Sequence, residues 1–156
     1  MSATPAAGSA VAPEYVGFWA RTGAALIDMT WMTLLLTPLL VMAFGRDYFD
    51  FERMLQRASE PPQPLDLLIS YGLPIVLVLV FWNRRLATPG KMLIHAKIVD
   101  ARTGAAPSTL QFVVRLLGGV LALLPLGLGL IWVAFDPRKQ GWHDKLANTV
   151  VIKIRR

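Results

Sequence analysis

Residues 112–135 read FVVRLLGGVLALLPLGLGLIWVAF, an apolar run with one charged side chain, Arg115. The run is long enough to cross a membrane, because a helix needs roughly 20 residues to span about 30 Å of hydrocarbon. Pro125 lies near its middle and is followed by Gly127 and Gly129. Proline lacks a backbone donor and clashes with the preceding turn, so we predict that the segment is kinked or broken at Pro125. It forms either one bent span or a re-entrant hairpin of two half-helices. In both cases the broken backbone must be surrounded by protein or water, because its unpaired polar groups cannot face lipid.

Two further runs, residues 22–44 and residues 65–82, are similarly apolar. Hydrophobic residues make up 54% of the 156-residue chain, and a chain of this size is too small to surround three such helices with a soluble core. We therefore predict an all-α membrane protein, a small helical bundle of three apolar segments. The net charge of +6 then indicates loops that face anionic lipid, since no interleaving of aromatic and basic residues points to nucleic acid.

The polar connections contain three patterns of their own. Residues 46–58 carry apolar side chains at helical spacing with charged residues between them, which predicts a short amphipathic helix at the membrane interface. Residues 94–98 and 150–154 alternate with period two, which predicts two strands. We expect these strands to form a small β element on the membrane surface.

The N-terminal residues 1–13 have no charged side chain and are mostly Ala, Ser, Gly and Pro. Such a composition buries too little apolar surface to fold, so we predict a disordered tail ahead of one membrane domain over residues 14–156. The tail lacks the basic residues of a signal peptide, so we expect residues 22–44 to remain as a helix. The chain has no cysteine, which excludes a disulfide framework and a thiolate metal site.

Asp28 is the one charged residue in the first apolar run, seven positions after Arg21 and therefore on nearly the same helix face. A carboxylate near mid-helix costs roughly 2.5–3.5 kcal/mol, so it should face the bundle interior and have a partner there. Arg21 leans towards the helix N-terminus, away from Asp28. We therefore predict an ion pair between Asp28 and Arg115, with Arg21 held by lipid headgroups or by loop residues near Asp144. Two interpretations of Asp28 stay open: a residue of an ion path, or a neutral, hydrogen-bonded group that fixes helix packing.

No constellation of nucleophile and base is recognisable, so we expect no enzymatic activity and no cofactor. The two histidines, His95 and His143, lie far apart in sequence and are too few for a zinc site. His143, beside Asp144, is more typical of a capping or interfacial residue than of a pH switch.

Basic residues are concentrated in residues 83–110 and in the segment after residue 135. Three full spans would place these two segments on opposite sides of the membrane, against the tendency of basic loops to stay in the cytoplasm. A re-entrant third segment removes the conflict and lets the two predicted strands pair. We therefore predict that the N-terminus, the middle loop and the C-terminus all lie in the cytoplasm.

Several short motifs occur in a characteristic order along the chain. They are Phe18-Trp19-Ala20-Arg21, Ala24-Ala25-Leu26-Ile27-Asp28, Thr88-Pro89-Gly90-Lys91, Lys97-Ile98-Val99-Asp100 with Gly104, Arg115, and WHDKLANTVV at residues 142–151. This order resembles the RDD family of bacterial membrane proteins, named for one arginine and two aspartates. The resemblance implies that Arg21 is the family arginine, that Asp28 is its first aspartate, and that either Asp100 or Asp144 is the second. Trp142 and Asn148 depart from the family pattern.

The resemblance implies a multi-pass protein of the bacterial inner membrane, and cation or proton exchange has been suggested for some family members. We expect ion or proton transport or sensing by a homo-oligomer in the lipid bilayer, with small cations as candidate ligands, because three apolar segments make a thin pathway in one chain. The alternative is a non-transporting membrane scaffold or partner-docking subunit. The candidate ion or proton path, or structural charge network, comprises Arg21, Asp28, Asp100, Arg115, His143 and Asp144.

Overall fold

The computed structural model describes residues 13–154. The predicted disordered tail lies outside the described residues, except for Pro13. In chain order the elements are α1 (Phe18–Phe44), a 3-10 turn (Arg46–Phe49), α2 (Phe51–Ser59), α3 (Pro64–Leu67), a π-helical turn (Leu68–Gly72), α4 (Leu73–Arg85), α5 (Pro89–Leu93), β1 (Ala96–Asp100), α6 (Thr109–Leu123), α7 (Leu128–Ile131), a second 3-10 turn (Trp132–Ala134), α8 (Trp142–Leu146) and β2 (Thr149–Lys153).

Within residues 13–154, two helical units are long and apolar enough to cross a membrane: α1 and the stretch Pro64–Leu93, which contains α3 to α5. At 1.5 Å per residue, the 27 residues of α1 extend about 40 Å. Large apolar side chains on α1 point away from the protein, and Trp19, Leu34 and Met42 are 82%, 71% and 83% exposed. Such a surface is typical of contact with lipid, as the apolar runs predict.

The third apolar segment is broken, as its proline predicts. α6 and the short helical pair Leu128–Ala134 are bent relative to each other by 114°. The break lies at residues 124–127, where Leu126 and Gly127 have positive φ values of 54° and 76°. Gly129 allows the two halves of the bent segment to approach each other closely, because a Cβ at this position would lie 2.6 Å from Cβ of Ala122.

β1 and β2 form an antiparallel two-stranded sheet in which Ile98 lies opposite Val151, so the predicted small β element is confirmed. The N-terminal segment joins the same sheet. Tyr15 forms a bridge to Ile152, and the Val16 N–H donates to the Val151 carbonyl at 3.0 Å. These contacts place the N-terminal segment, the middle loop and the C-terminal segment at one end of the molecule. The third apolar segment therefore begins and ends at the sheet, as a re-entrant hairpin does.

The sheet packs its buried face on α4 and α6. Ile98 and Val151 are fully buried there against Trp82 of α4 and Phe112 of α6, whose ring centroids are 5.7 Å apart. The Ile98 N–H also donates to the Leu86 carbonyl at 2.7 Å, where α4 ends in a left-handed residue. The main core thus lies at the sheet end, and it holds α4 and α6 in place.

The predicted short amphipathic helix is present at the opposite end of the two spans, as a 3-10 turn followed by α2. Apolar side chains of α2, such as Phe51, remain exposed, as expected of a helix on a membrane surface. Tyr48 anchors the turn. Its hydroxyl donates to the Asp66 carboxylate at 2.6 Å, and the Arg57 guanidinium lies 3.7 Å from the centroid of its ring.

Candidate functional site

Asp144 is the most deeply buried charged residue in the described part of the chain, with 0% of its surface exposed. It is the third residue of α8, a five-residue helix that begins after Gly141. Its Oδ2 accepts a hydrogen bond from the Gly141 N–H at 3.0 Å, so the carboxylate caps the N-terminus of its own helix. α8 packs closely on α6 at Gly118, where a Cβ would lie 3.0 Å from Cα of His143.

Two arginines meet at this carboxylate. Arg21 Nη1 lies 2.6 Å from Asp144 Oδ2. Arg115 Nη1 contacts Asp144 Oδ1 and donates to Thr149 Oγ1 at 2.8 Å. Burial raises the pKa of the Asp144 carboxyl, but the positive charges of Arg115 and Arg21 outweigh burial and hold this pKa well below its ordinary value. The carboxylate is therefore ionised at physiological pH. We call Arg21, Arg115, Asp144 and Thr149 the Asp144 cluster.

Arg21 connects the cluster to two further segments. Its Nε donates to the Val16 carbonyl at 2.9 Å, and its Nη2 donates to the Lys139 carbonyl at 2.6 Å. One side chain of α1 thus contacts the N-terminal segment, the loop before α8 and α8 itself. These contacts correspond to the second of the two anchors expected for Arg21, loop residues near Asp144.

The predicted ion pair between Asp28 and Arg115 is wrong. Asp28 Oδ1 accepts hydrogen bonds from the Gly90 N–H at 2.7 Å and from Trp31 Nε1 at 3.1 Å. Its Oδ2 accepts from Thr88 Oγ1 at 2.5 Å. These local donors satisfy the carboxylate, and Arg115 is engaged in the Asp144 cluster instead. Asp28 faces the interior as predicted, and its contacts fit a role in helix packing, but as a carboxylate that accepts all three hydrogen bonds and not as the neutral group of that interpretation.

Gly90 brings α5 against α1. Its N–H donates to Asp28, and a Cβ at this position would overlap the carbonyl oxygen of Ala24. Ala24 itself has no exposed surface. Glycine is therefore required for this approach, and the motif Thr88-Pro89-Gly90-Lys91 docks on the small-residue face of α1.

Asp100 stabilises the turn after β1 and is not part of the Asp144 cluster. It ends β1, and hydrogen bonds from Thr103, Gln111 and Arg102 hold the pKa of its carboxyl well below the ordinary value. The two backbone donors lie at 2.9 Å and 2.8 Å and the Gln111 amide at 2.6 Å. Of Asp100 and Asp144, the two aspartates that the resemblance left open, Asp144 is thus the one that contacts Arg21.

His143 borders the cluster, with its Nε2 3.5 Å from Asp144 Oδ2. Burial, together with the positive charge of Arg115, lowers the pKa of the His143 imidazole to about 3. The ring is therefore neutral at physiological pH. Of the six candidate residues, the structure brings together Arg21, Arg115, His143 and Asp144, and it places Asp28 and Asp100 in separate networks.

A cavity of about 190 Å³ lies beside the cluster, between α1, α5, α6 and α8. Its polar lining includes Arg21, Lys91, Arg115 and His143, while Leu130 is part of its apolar wall. Lys91 was not among the site residues predicted from the sequence. The sequence feature that could have indicated a role for Lys91 is its position directly after Gly90, the glycine that docks on α1.

The groups around the cavity carry an uncompensated positive charge. Three cations line the cavity: Arg21, Lys91 and Arg115. Two carboxylates lie behind them: Asp144 pairs with both arginines, and Asp28 shares the Thr88 hydroxyl with Lys91. Three positive charges against two negative charges leave a net charge of +1. Lys91 is the cation without a carboxylate: its Nζ donates to Thr88 Oγ1 at 3.3 Å and forms no ion pair within 4.0 Å inside the described range 13–154.

Three buried nitrogen atoms, two of them on residues that line the cavity, have no hydrogen-bond partner among the residues that the structure describes. They are Trp82 Nε1, Arg115 Nε and His143 Nδ1. Most buried polar groups in folded proteins are paired, and the tryptophan and arginine nitrogens can only donate. The site thus combines excess positive charge with unused donors, a combination that suits an anion.

Comparison with known proteins gives one family and one partial relative. The model of the RDD family matches residues 15–148. A stretch of 75 residues is 37% identical to an uncharacterised protein of Rickettsia prowazekii (strain Madrid E). That stretch covers 48% of this chain and 41% of the relative, so the chain spans less than half of the length of that protein. No solved structure shows a significant match.

Proposed function

The chain belongs to the RDD family, and on this premise we propose that it transports or senses ions in the bacterial inner membrane, with the cavity beside the Asp144 cluster as the ion-binding site. The observation that carries the proposal is the uncompensated positive charge around the cavity, next to donors that no described residue uses. A charge buried in this way is costly unless a counter-ion accompanies it.

The charge balance favours an anion as the bound ion. The small cations expected from the sequence would need a free carboxylate, and both nearby carboxylates are engaged. Asp28 accepts three hydrogen bonds, and Asp144 contacts two arginines and a backbone N–H. An anion would instead accept from Lys91 and Arg115 without breaking an existing pair.

We also propose that the active form is a homo-oligomer. The cavity lies at the sheet end of the bundle, and two spans with one bent segment make a thin wall for a pathway. The outer faces of both spans carry exposed apolar side chains, such as Leu34 and Val76. A second copy packed on these faces would add the missing wall, and lipid would cover the rest.

We place the sheet end in the cytoplasm. Residues 83–110 and 136–156 carry eleven of the 16 Lys and Arg residues, against three in residues 45–63 at the opposite end. Basic loops tend to stay on the cytoplasmic side, where they face anionic lipid. The N-terminal and C-terminal segments then both lie in the cytoplasm.

Flux measurements in proteoliposomes test the proposed function. Gradients of chloride, nitrate or phosphate are imposed across vesicles that contain the purified protein and a potential-sensitive dye. We expect anion flux that falls by about tenfold in Lys91→Gln, because this variant removes the cation that has no carboxylate partner. Arg84→Gln removes an exposed cation from the last turn of α4 and is the matched control, with flux at the wild-type level.

Two outcomes would count against the proposal. Flux of Na⁺, K⁺ or protons without anion flux, followed with a pH dye in the same vesicles, would contradict the choice of an anion. Absence of all flux from folded protein would favour the alternative, a non-transporting scaffold or partner-docking subunit. The Asp144 cluster supports that alternative, because it ties α1, α6, α8 and β2 together at the sheet end.

A further inference from the structure

An open groove of about 310 Å³ lies along α6 and shares Lys91, Arg115, Leu130 and His143 with the cavity. Its polar end is lined by Trp82, Lys91, Arg115 and His143, and its apolar end by side chains of α6 and by Leu130. We infer that this groove binds an anionic lipid, whose phosphate group lies at Lys91 and Arg115 and whose acyl chain lies along α6. The inference rests on the proposed function, since it names the class of anion that the cationic cavity takes.

The polar end offers donors that match a phosphate group. Within residues 13–154, Lys91 Nζ has one hydrogen bond, to Thr88 Oγ1, and its other N–H donors are unused. Arg115 uses Nη1 for the Asp144 cluster, while its Nη2 forms no hydrogen bond among the described residues. The Arg115 guanidinium lies 5.4 Å from the ring centroid of Trp82, which keeps it beside the groove. Phosphate oxygens bind such donors through strong charge-assisted hydrogen bonds.

The apolar end is one face of α6. Gly119 and Val120 lie three and four residues after Leu116, and Leu123 lies four and three residues after them, so all four share one face of the helix. Val120 and Leu123 are 56% and 58% exposed. Gly119 widens the groove, because no atom lies within 4 Å of a Cβ built at this position. The row offers space and an apolar surface for a hydrocarbon chain.

The combination of both ends favours a lipid over a free anion. A free anion would occupy the polar end alone and gain nothing from the apolar row. A lipid satisfies the charge with its headgroup and gains further binding free energy from each methylene group that it buries against α6. The net positive charge favours an anionic headgroup over a zwitterionic one, whose own cation would approach Lys91.

Thermal unfolding of the purified full chain in detergent, titrated with lipid, tests the inference. The probes are phosphatidylglycerol, phosphatidylcholine with the same acyl chains, and sodium phosphate. A ligand that binds only the folded protein stabilises it by an amount that grows with the logarithm of the ligand concentration divided by its Kd, so a titration yields the affinity. We expect phosphatidylglycerol to bind about tenfold more tightly than phosphatidylcholine, and to lose about tenfold in affinity in Lys91→Gln and in Gly119→Phe. The first variant removes a charge, and the second fills the groove.

Two matched controls separate the site from general effects. Arg84→Gln removes an exposed cation elsewhere, and Gly23→Phe adds the same ring at another open glycine, on α1. Both should keep the wild-type affinity for phosphatidylglycerol. Equal affinity for the two lipids, or unchanged affinity in either site variant, would overturn the inference. Stabilisation by sodium phosphate that phosphatidylglycerol does not exceed would also overturn it, while leaving the proposed anion site in place. Absence of stabilisation by both anions would contradict the lipid inference and the proposed site together.

Discussion

Replacing Asp144 with asparagine should lower the free energy of unfolding by about 3–5 kcal/mol, since it leaves two buried arginines without their shared carboxylate. The side chains of Arg115 and Arg21 are 2% and 11% exposed, so water cannot fully replace the lost partner. Asparagine has nearly the same size as aspartate, and the loss therefore reports the missing charge and not a cavity. Denaturant or thermal unfolding in detergent measures the change.

Asp47→Asn is the matched control for this prediction. Asp47 pairs with Arg53 at 3.3 Å, and both side chains are 62% exposed. Exposed pairs typically contribute between 0 and about 1 kcal/mol, so the control should be close to the wild type. If the two variants lost equally little stability, the Asp144 cluster would not be what holds the sheet end together.

Gly90→Ala should have the second large effect, a loss of about 1–3 kcal/mol in the free energy of unfolding. The added Cβ would overlap the Ala24 carbonyl oxygen. Because this oxygen belongs to the backbone of α1, the overlap cannot be relieved by rotating a side chain. α5 would have to move away from α1, and Asp28 would lose its hydrogen bonds to Gly90 and Thr88. The same unfolding assay measures the loss.

Gly119→Ala provides the comparison, because it makes the same change in α6 with no atom within 4 Å of the new Cβ. Alanine stabilises a helix interior relative to glycine by roughly 0.5–1 kcal/mol, so this variant should be at least as stable as the wild type. A Gly90→Ala protein that matched Gly119→Ala in stability would show that α5 does not approach α1 as closely as the structure has it.

Most of the fold could be predicted because its causes are local in sequence. A long apolar run must be covered by lipid or by protein, so the membrane-spanning segments were predictable. Proline disrupts a helix because it lacks a backbone N–H and clashes with the preceding turn, so the bend near Pro125 was predictable too. Alternation predicted both strands, and the distribution of basic residues predicted that they meet. The start of the first helix was less certain: α1 begins at Phe18, four residues before the apolar run, because Arg21 finds partners in the protein.

The contacts of the charged residues could not be predicted in the same way. Asp28 was expected to form an ion pair with a cation, but its partners include the backbone N–H of Gly90 and the hydroxyl of Thr88. Backbone donors have no signature in the sequence, and their position depends on how far α5 inserts between the helices. Lys91 was overlooked for a related reason: it matters because no carboxylate of the described residues forms an ion pair with it. Such a deficit is visible only when all neighbours are known.

The N-terminal segment, the middle loop and the C-terminal segment meet at the sheet end around Asp144, and we propose that this end lies at one face of the membrane. Because the chain has no cysteine, three single variants, Ala105→Cys, Lys153→Cys and Glu60→Cys, can be labelled with a membrane-impermeant thiol reagent in intact and in permeabilised cells. All three positions are exposed, the first two at the sheet end and the third between α2 and α3. We expect Ala105→Cys and Lys153→Cys to be labelled only after permeabilisation, and Glu60→Cys to be labelled in intact cells. Labelling of Ala105→Cys and Lys153→Cys from opposite sides of the membrane would contradict the re-entrant third segment and, with it, the assembly of this face.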